Sequence, residues 1–474
     1  HVEAAVEALW AQERVVVEGE LVYLWRLHRA ESEVAVAIDQ LLKAPGHALT
    51  GLEAALVRFE KQRGFRLADT QKRAVALCAT EKVCVITGGP GVGKTTIVQA
   101  IVSVLAGAKL RLRLAAPTGR AAKRLSEATA CDASTLHRLL EYDPRSLVFQ
   151  RNRDNPLEVD ALIIDEASMV DLPLAAALLE ALPTHARLVI VGDNDQLPSV
   201  GPGAFLRDLL ESGAVPTMRL NEIFRQANES GIVKNAHRIL VGEVPEGATD
   251  AAGDFFVLAR RDPEEAADTI VKLVVERMAE RFGLDPKRDI QVLTPMHKGA
   301  AGTEALNQRL QAALNPGTEG LALRGQQLRV GDKVMQTKND YDRDVYNGDV
   351  GVVSSVASEA RALKVRFDGR EVSYEDAAIE ALTLAYAATV HKSQGSEYPA
   401  VVIPLLTSHF VMLSRNLVYT GVTRARRVCV LVADPKALSL ALAETRREQR
   451  STRLAHRLRL LTQRRAEAPR LTER

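Results

Sequence analysis

The stretch ITGGPGVGKTT, residues 86–96, follows an apolar run and precedes a helical one. Its G-x-x-x-x-G-K-T pattern restricts what the chain can fold into more than any other segment. KVCVITGG reads as a buried strand and GKTTIVQAIVSVLAG as the following helix. The turn between them, Gly88, Gly89, Pro90, Gly91, Val92 and Gly93, can bare backbone N–H groups, because glycine permits the tight bend and places no Cβ before a phosphate. The helix N-terminus adds the positive end of its dipole. Lys94 is placed to reach the β- and γ-phosphates of ATP, Thr95 to bind Mg²⁺ through its hydroxyl, and Thr96 to complete the cradle. ALIIDEAS then supplies an apolar strand ending in Asp165 and Glu166. Asp165 suits the Mg²⁺, and Glu166 suits alignment or deprotonation of an attacking water. Loop and acidic pair together imply hydrolysis of a nucleoside triphosphate.

Composition narrows little beyond this. A chain of 474 residues predicts two to four domains. With 26% charged residues and a net charge of +2 it is no polycation, so nucleic acid is neither demanded nor excluded. Cys78, Cys84, Cys131 and Cys429 lack C-x-x-C spacing and read as buried thiols of a reducing cytosol, not zinc ligands. No apolar stretch is long enough for a bilayer and no signal-peptide pattern is present, which predicts a cytoplasmic protein without membrane contact. The first residue is His1 rather than Met, so the reading places the native start upstream.

Patterning along the chain predicts an α/β protein. Residues 1–62 read as a helical remnant with a hairpin in RVVVEGELVYLWRL, possible as the end of a winged-helix unit. Residues 63–215 alternate strand and helix as in a parallel sheet, interrupted by a polar hairpin at about 141–157 with a charged tip. A second alternating unit covers 216–317 and 381–440. Between its parts, 318–380 holds LRVGDKVMQTKND, NGDVGVVSSV, ALKVRFDG and REVSYE, short strands with Gly/Asn/Asp turns that predict a small inserted β-barrel. The basic tail, 441–474, reads equally as a solvated helix or a nucleic-acid contact.

Further motifs separate this chain from kinases and GTP switches. In LVIVGDNDQLPSVGPG, Gln196 is placed to touch both γ-phosphate and water, and the loop around it to couple hydrolysis to movement. Arg225 in RLNEIFRQ and Arg424 in YTGVTRARR are candidates for stabilising charge on the transferring phosphoryl group. With LAAPTGRAAKRL, STLHRLL and TVHKSQGSEYPAVVI, the ordered set resembles the motifs of superfamily 1 helicases, and its variants resemble the RecD-like branch. The resemblance covers residues of about 65–435.

That resemblance implies two RecA-like motor domains, the hairpin as a strand-splitting pin, and an SH3-like inserted barrel. It implies an ATP-dependent 5′-to-3′ DNA helicase of repair or recombination, a monomeric motor whose partners are single-stranded DNA and duplex junctions. By motif, Gln71 would read the adenine edge, Glu397 would contact the ribose, and Gly395 would admit the backbone to the nucleotide. Pro117, Thr118, Gly119, His137, Asn307, Thr389, His391 and Lys392 would contact DNA. Aromatic content is only 4%, so gripping of the DNA backbone should outweigh base stacking. Two alternatives are an RNA translocase of the same superfamily and a nucleotide-controlled clamp or scaffold that hydrolyses ATP without unwinding.

Overall fold

The computed structural model describes the chain except residues 47, 223–228, 251, 318, 324, 341, 445–449 and 468–474. At the N-terminus a helix, Val2–Ala11, leads into the antiparallel hairpin of β1 (Val15–Glu18) and β2 (Leu21–Leu24), then a long helix, Trp25–Lys43. That helix is amphipathic, and its Val34, Ile38 and Leu41 enter the same core as the helix Leu172–Ala181.

The first sheet starts with β3 (Val83–Gly88), β4 (Leu112–Ala116) and β5 (Ala133–Thr135). A short hairpin follows, β6 (Tyr142–Asp143) with β7 (Val148–Phe149). Then β8 (Ala161–Ile164), β9 (Arg187–Gly192) and β10 (Thr217–Leu220) complete a six-stranded parallel sheet in the order β10-β3-β9-β8-β4-β5. VCVI, ALII and LVIV are unbroken apolar runs because helices cover both faces of a parallel sheet. Fully buried side chains such as Ile86, Ile163 and Ile190 each contribute about 1.5–3 kcal/mol by leaving water. Thr118 and Asp171 start covering helices by accepting backbone N–H bonds at the N-cap.

The second sheet contains β11 (Phe255–Ala259) and β12 (Ile290–Thr294). The chain then leaves it for a two-stranded ribbon, β13 (Leu321–Leu323) with β14 (Gln326–Leu328). An antiparallel sheet follows, made of β15 (Lys333–Gln336), β16 (Val350–Ala357), β17 (Ala362–Phe367), β18 (Arg370–Glu375) and β19 (Leu382–Leu384). The strands expected of the inserted segment are there, in the order β18-β17-β16-β15-β19. Among the described residues no pairing joins the edge strands β18 and β19, so the insertion is a five-stranded sheet rather than a closed barrel. The chain returns through β20 (Ala387–Thr389), β21 (Tyr398–Leu405) and β22 (Ala425–Ala433), giving the parallel order β11-β22-β21-β12-β20.

The C-terminal helix, Leu454–Glu467, lies within the basic tail and docks one face on the protein. It crosses back to the first half, where Leu454 and Leu458 are buried in the core that holds Val34 and Phe205. Arg457 Nε donates to Glu31 Oε1 at 3.0 Å, and its Nη2 donates to Glu18. Arg450 donates to the carbonyl of Gly203 at 2.6 Å and to those of Ser199 and Gly201. These arginines bond the buried Glu31, the part-buried Glu18 and loop carbonyls of their own chain. Among the described residues, no helix is long and apolar enough to cross a membrane.

Candidate functional site

The phosphate loop leaves β3 at Gly88 and ends where the helix Lys94–Gly107 begins. Gly91 (φ 75°) and Gly93 (φ 74°) hold the left-handed conformations that shape it. At Gly88 a Cβ would stand 2.7 Å from the Leu220 carbonyl oxygen, and at Gly89 3.0 Å from the Tyr419 hydroxyl. Val92 is buried and pins the loop from below. Lys94 Nζ donates to the carbonyls of Gly88 and of Gly89 (2.9 Å) and lies 3.9 Å from Asp193 Oδ2. Gly89, Pro90, Gly91, Gly93, Lys94 and Thr95 line a cleft of about 400 Å³ between the two parallel sheets. Gly88, Val92 and Thr96 support the loop without lining the cleft.

The acidic pair closes the next side. Asp165 and Glu166 stand just beyond the end of β8, and the Glu166 N–H donates to Asp165 Oδ1 at 2.8 Å. Glu166 adopts φ 52°, an uncommon backbone state for a residue with a side chain and one that recurs at functional sites. Burial, then the neighbouring Glu166 charge, pushes Asp165 up to about 6, against the pull of Lys94 and Arg124. A carboxylate that is costly to ionise, facing Thr95 across one cleft, fits a divalent cation that would offset the charge.

Asp193, beyond the end of β9, accepts from the Gln196 amide (3.1 Å) and the Tyr419 hydroxyl (2.8 Å). Burial, then Asp193, drives the Tyr419 hydroxyl well above its ordinary pKa, which preserves this donor. Gln196 is buried, and its Oε1 has no hydrogen-bond partner within the protein. An orphaned acceptor in the cleft wall suits a water or ligand donor.

The second sheet supplies the facing wall. Arg424 is buried, donating to Thr420 O (3.1 Å), Ser396 O (3.2 Å) and Thr423 Oγ1 (3.3 Å), and it lines the cleft. Arg225 lies outside the described residues. Glu397 lines the cleft but is held between Arg124, from the first half, and Arg426 Nε at 2.6 Å. Burial pushes the Glu397 carboxyl upward, yet the two arginines outweigh it and hold it below the usual range. Asp193, Arg124 and Arg426 also line the cleft, and their only sequence signal is a charge inside GDNDQL, GRAAKRL and TRARR.

Two residues expected to touch the nucleotide do not line this cleft. Gln71 is buried at the start of the helix Asp69–Thr80, accepts from the Ala68 N–H at 3.1 Å, and does not line the cleft. Gly395 (φ 72°) faces Thr118, whose hydroxyl would lie 2.7 Å from a Cβ there. Its left-handed backbone and the close approach of the two halves both favour glycine there.

Of the residues expected to contact DNA, Pro117, Thr118 and Gly119 stand beyond the end of β4, with Thr118 capping the helix Gly119–Thr129. Tyr346, from the inserted segment, lies over Gly119, its ring 2.7 Å from a Cβ built there. Thr389 is buried and accepts from the Lys392 N–H at 3.3 Å. His391 and Lys392 are half-buried, and burial holds both below their ordinary pKa values. His137 packs at the root of the hairpin, 5.5 Å from the Tyr142 ring and 5.7 Å from that of Phe149. Asn307 is corrected. It is 4% exposed, its amide donates to Ala387 O and accepts from Ala387 N, both at 2.9 Å, and so it clamps β20 rather than facing a ligand.

A phosphate loop, an acidic pair and an arginine from the edge of a second parallel sheet, all on one cleft, define a two-lobed P-loop protein with a nucleotide-shaped site. Family models agree along the chain: an AAA domain matches residues 71–202, an ATP-dependent RecD-like DNA helicase SH3 domain 306–367, and a UvrD-like helicase C-terminal domain 384–432. The chain belongs to the RecD-like family of superfamily 1 DNA helicases. It is 33% identical to the RecBCD enzyme subunit RecD of Mycolicibacterium smegmatis, over 93% of this chain and 83% of that one. It is 39% identical to the ATP-dependent RecD2 DNA helicase of Deinococcus radiodurans over 95% of its own length, and spans 60% of that relative. Among solved structures it is similar to the Pif1 helicase from Bacteroides in complex with ADP-AlF3 and ssDNA (TM-score 0.49, 20% identity, 84% of this chain and 97% of that one).

Proposed function

We propose that this chain is an ATP-driven motor that moves 5′-to-3′ along single-stranded DNA and unwinds duplexes at junctions. A role in repair or recombination, a monomeric working state and a cytoplasmic location belong to the same reading. One observation carries it: Lys94 and Glu166 from the first half share a cleft with Arg424 from the second. A nucleotide bound there would touch both halves, so its arrival and hydrolysis would change how they sit. We assign residues 63–215 to the first motor domain, 216–317 with 381–440 to the second, 318–380 to the insertion, and 1–62 and 441–474 to flanking segments.

In this mechanism Lys94 leaves the Gly88 and Gly89 carbonyls for the phosphates, and the bared N–H groups of the loop hold the remaining oxygens. Thr95 and Asp165 would hold a Mg²⁺, which when bound would supply positive charge against the negative charge of the phosphoryl oxygens. Glu166 orients the attacking water and takes its proton, while the free Gln196 Oε1 accepts from that water. Arg424, with Arg225, stabilises the transferring group. Asp193 links Gln196 to Tyr419 of the second half, and is the path by which loss of the γ-phosphate would loosen the cleft. Pro117–Gly119 and Thr389–Lys392 grip the strand on either half. The hairpin, whose Leu147 and Val148 are exposed at its tip, parts the duplex.

Strand displacement with 5′-tailed and 3′-tailed duplexes tests the polarity. Unwinding of the 3′-tailed substrate alone would reverse it. ATPase stimulated equally by single-stranded RNA would favour the RNA translocase, and ATPase without displacement of either duplex the clamp.

A further inference from the structure

We propose that Arg124 is a positioning residue that ties the water-activating carboxylate of Glu166 to the second half of the molecule through Glu397. The inference rests on the hydrolytic reading above and adds a residue to it. Arg124 projects from the helix Gly119–Thr129 of the first half. Its Nη1 donates to the Gly395 carbonyl at 3.2 Å and lies 3.9 Å from Glu166 Oε1, while its Nη2 donates to Glu397 Oε1. Glu397 Oε2 is in turn bonded to Arg426. The cleft wall is thus a row of alternating charge, Glu166–Arg124–Glu397–Arg426, that begins on one half and ends on the other.

Docking alone does not account for Arg124. One turn earlier on the same helix, Arg120 Nη1 already bonds Ser396 Oγ and Tyr398 Oη across the same boundary, both at 2.9 Å, with the guanidinium 5.8 Å from the centre of the Tyr398 ring. Arg120 does not line the cleft, whereas Arg124 does. A guanidinium shared by Glu166 and Glu397 cannot hold both in an unchanged geometry once the halves shift. When Glu397 moves, Arg124 follows or lets go, and the charge beside Glu166 changes with it. The first half's own carboxylate therefore becomes sensitive to where the second half sits.

The test measures kcat and KM for ATP at saturating single-stranded DNA. Arg124→Gln should lower kcat roughly 10- to 100-fold with KM changed by less than about threefold, because a misplaced catalytic group costs turnover rather than ground-state binding. Arg124→Lys, which keeps the charge, should recover part of the loss. In a Glu166→Gln background, Arg124→Gln should subtract nothing further from the residual rate. The exchange Arg124→Glu with Glu397→Arg restores an ion pair across the boundary but sets a like charge beside Glu166, so it should stay impaired. Full recovery by that exchange, or a kcat within twofold of the parent in Arg124→Gln, would overturn the proposal. A parent protein without ATPase would instead refute the hydrolytic reading itself.

Discussion

Asn307 separates a contact with DNA from a clamp inside the fold, and the two roles predict opposite measurements. Its amide forms a closed pair with the backbone of Ala387, donor to carbonyl and N–H to carbonyl, each 2.9 Å long. Ala387 is itself buried at the start of β20, beside Val292 of β12. Asn307→Ala strands one donor and one acceptor where water does not reach. Each buried group left without a partner costs about 1–3 kcal/mol, so a loss of about 3 kcal/mol is expected. For a cooperative unit of 150–250 residues that is roughly 6–12 °C in melting temperature. Asn307→Asp is the sharper probe. It keeps the acceptor for the Ala387 N–H and turns a carboxylate oxygen towards the Ala387 carbonyl, so it should destabilise at neutral pH despite equal volume. Thermal melting beside fluorescence anisotropy with a labelled oligonucleotide reads both roles. An unchanged melting temperature together with weakened DNA binding would refute the clamp and restore the direct contact.

Lys94→Ala and Glu166→Gln should both abolish turnover, but only the first should weaken ATP binding, because it alone removes a charge that holds phosphate; equilibrium binding of a fluorescent ATP analogue distinguishes them. Replacing Pro144–Val148 by a Gly/Ser turn should leave DNA-stimulated ATPase near the parent value and abolish displacement of a 5′-tailed duplex. The cut stops there because Leu157 is buried and its N–H bonds Ala181, so a longer deletion would damage the first core. Parallel loss of both activities would mark the hairpin as structural. Lys333 is buried with its ammonium on the Ile290 carbonyl, and burial, then the charge of Arg120, pulls it down to about 7 from 10.5. The unfolded chain holds the extra proton between those values, so this residue penalises folding most at and below pH 7 and least above pH 10. Lys333→Met should therefore raise stability against urea at pH 7, with the advantage shrinking towards pH 9; a difference independent of pH would contradict the burial argument.

Much of the candidate site was legible because its chemistry is local. A loop that bares N–H groups needs glycines at fixed intervals, and Gly91 and Gly93 have the positive φ such a turn demands. A strand covered on both faces must be apolar throughout, so VCVI and ALII announced a parallel sheet, and the residues after them, Lys94 and Asp165, inherit their places from its edge. The hairpins and the strands of the insertion were likewise readable from alternation and turn residues.

Partner choice across the fold was not readable, because it depends on which surfaces meet. Asn307, Gln71 and Gly395 sit in motifs that suggest ligands, yet the amides bond neighbouring backbone and the glycine makes room for Thr118. An amide or a hydroxyl takes whichever donor or acceptor is nearest, and no local pattern states which that will be. Nothing in the local sequence distinguishes Arg124 from any surface arginine of an amphipathic helix; the second half brings Glu397 to it. The basic tail shows the same physics at larger scale: its charge says nothing of where it docks, while Leu454 and Leu458, four residues apart, seat one face of the helix on the core, where Arg457 finds Glu31 more than four hundred residues away. Backbone conformation and burial period are written within a few residues; the pairing of charges and amides is settled only when distant segments come together, because those bonds form with whatever the closed core leaves within reach.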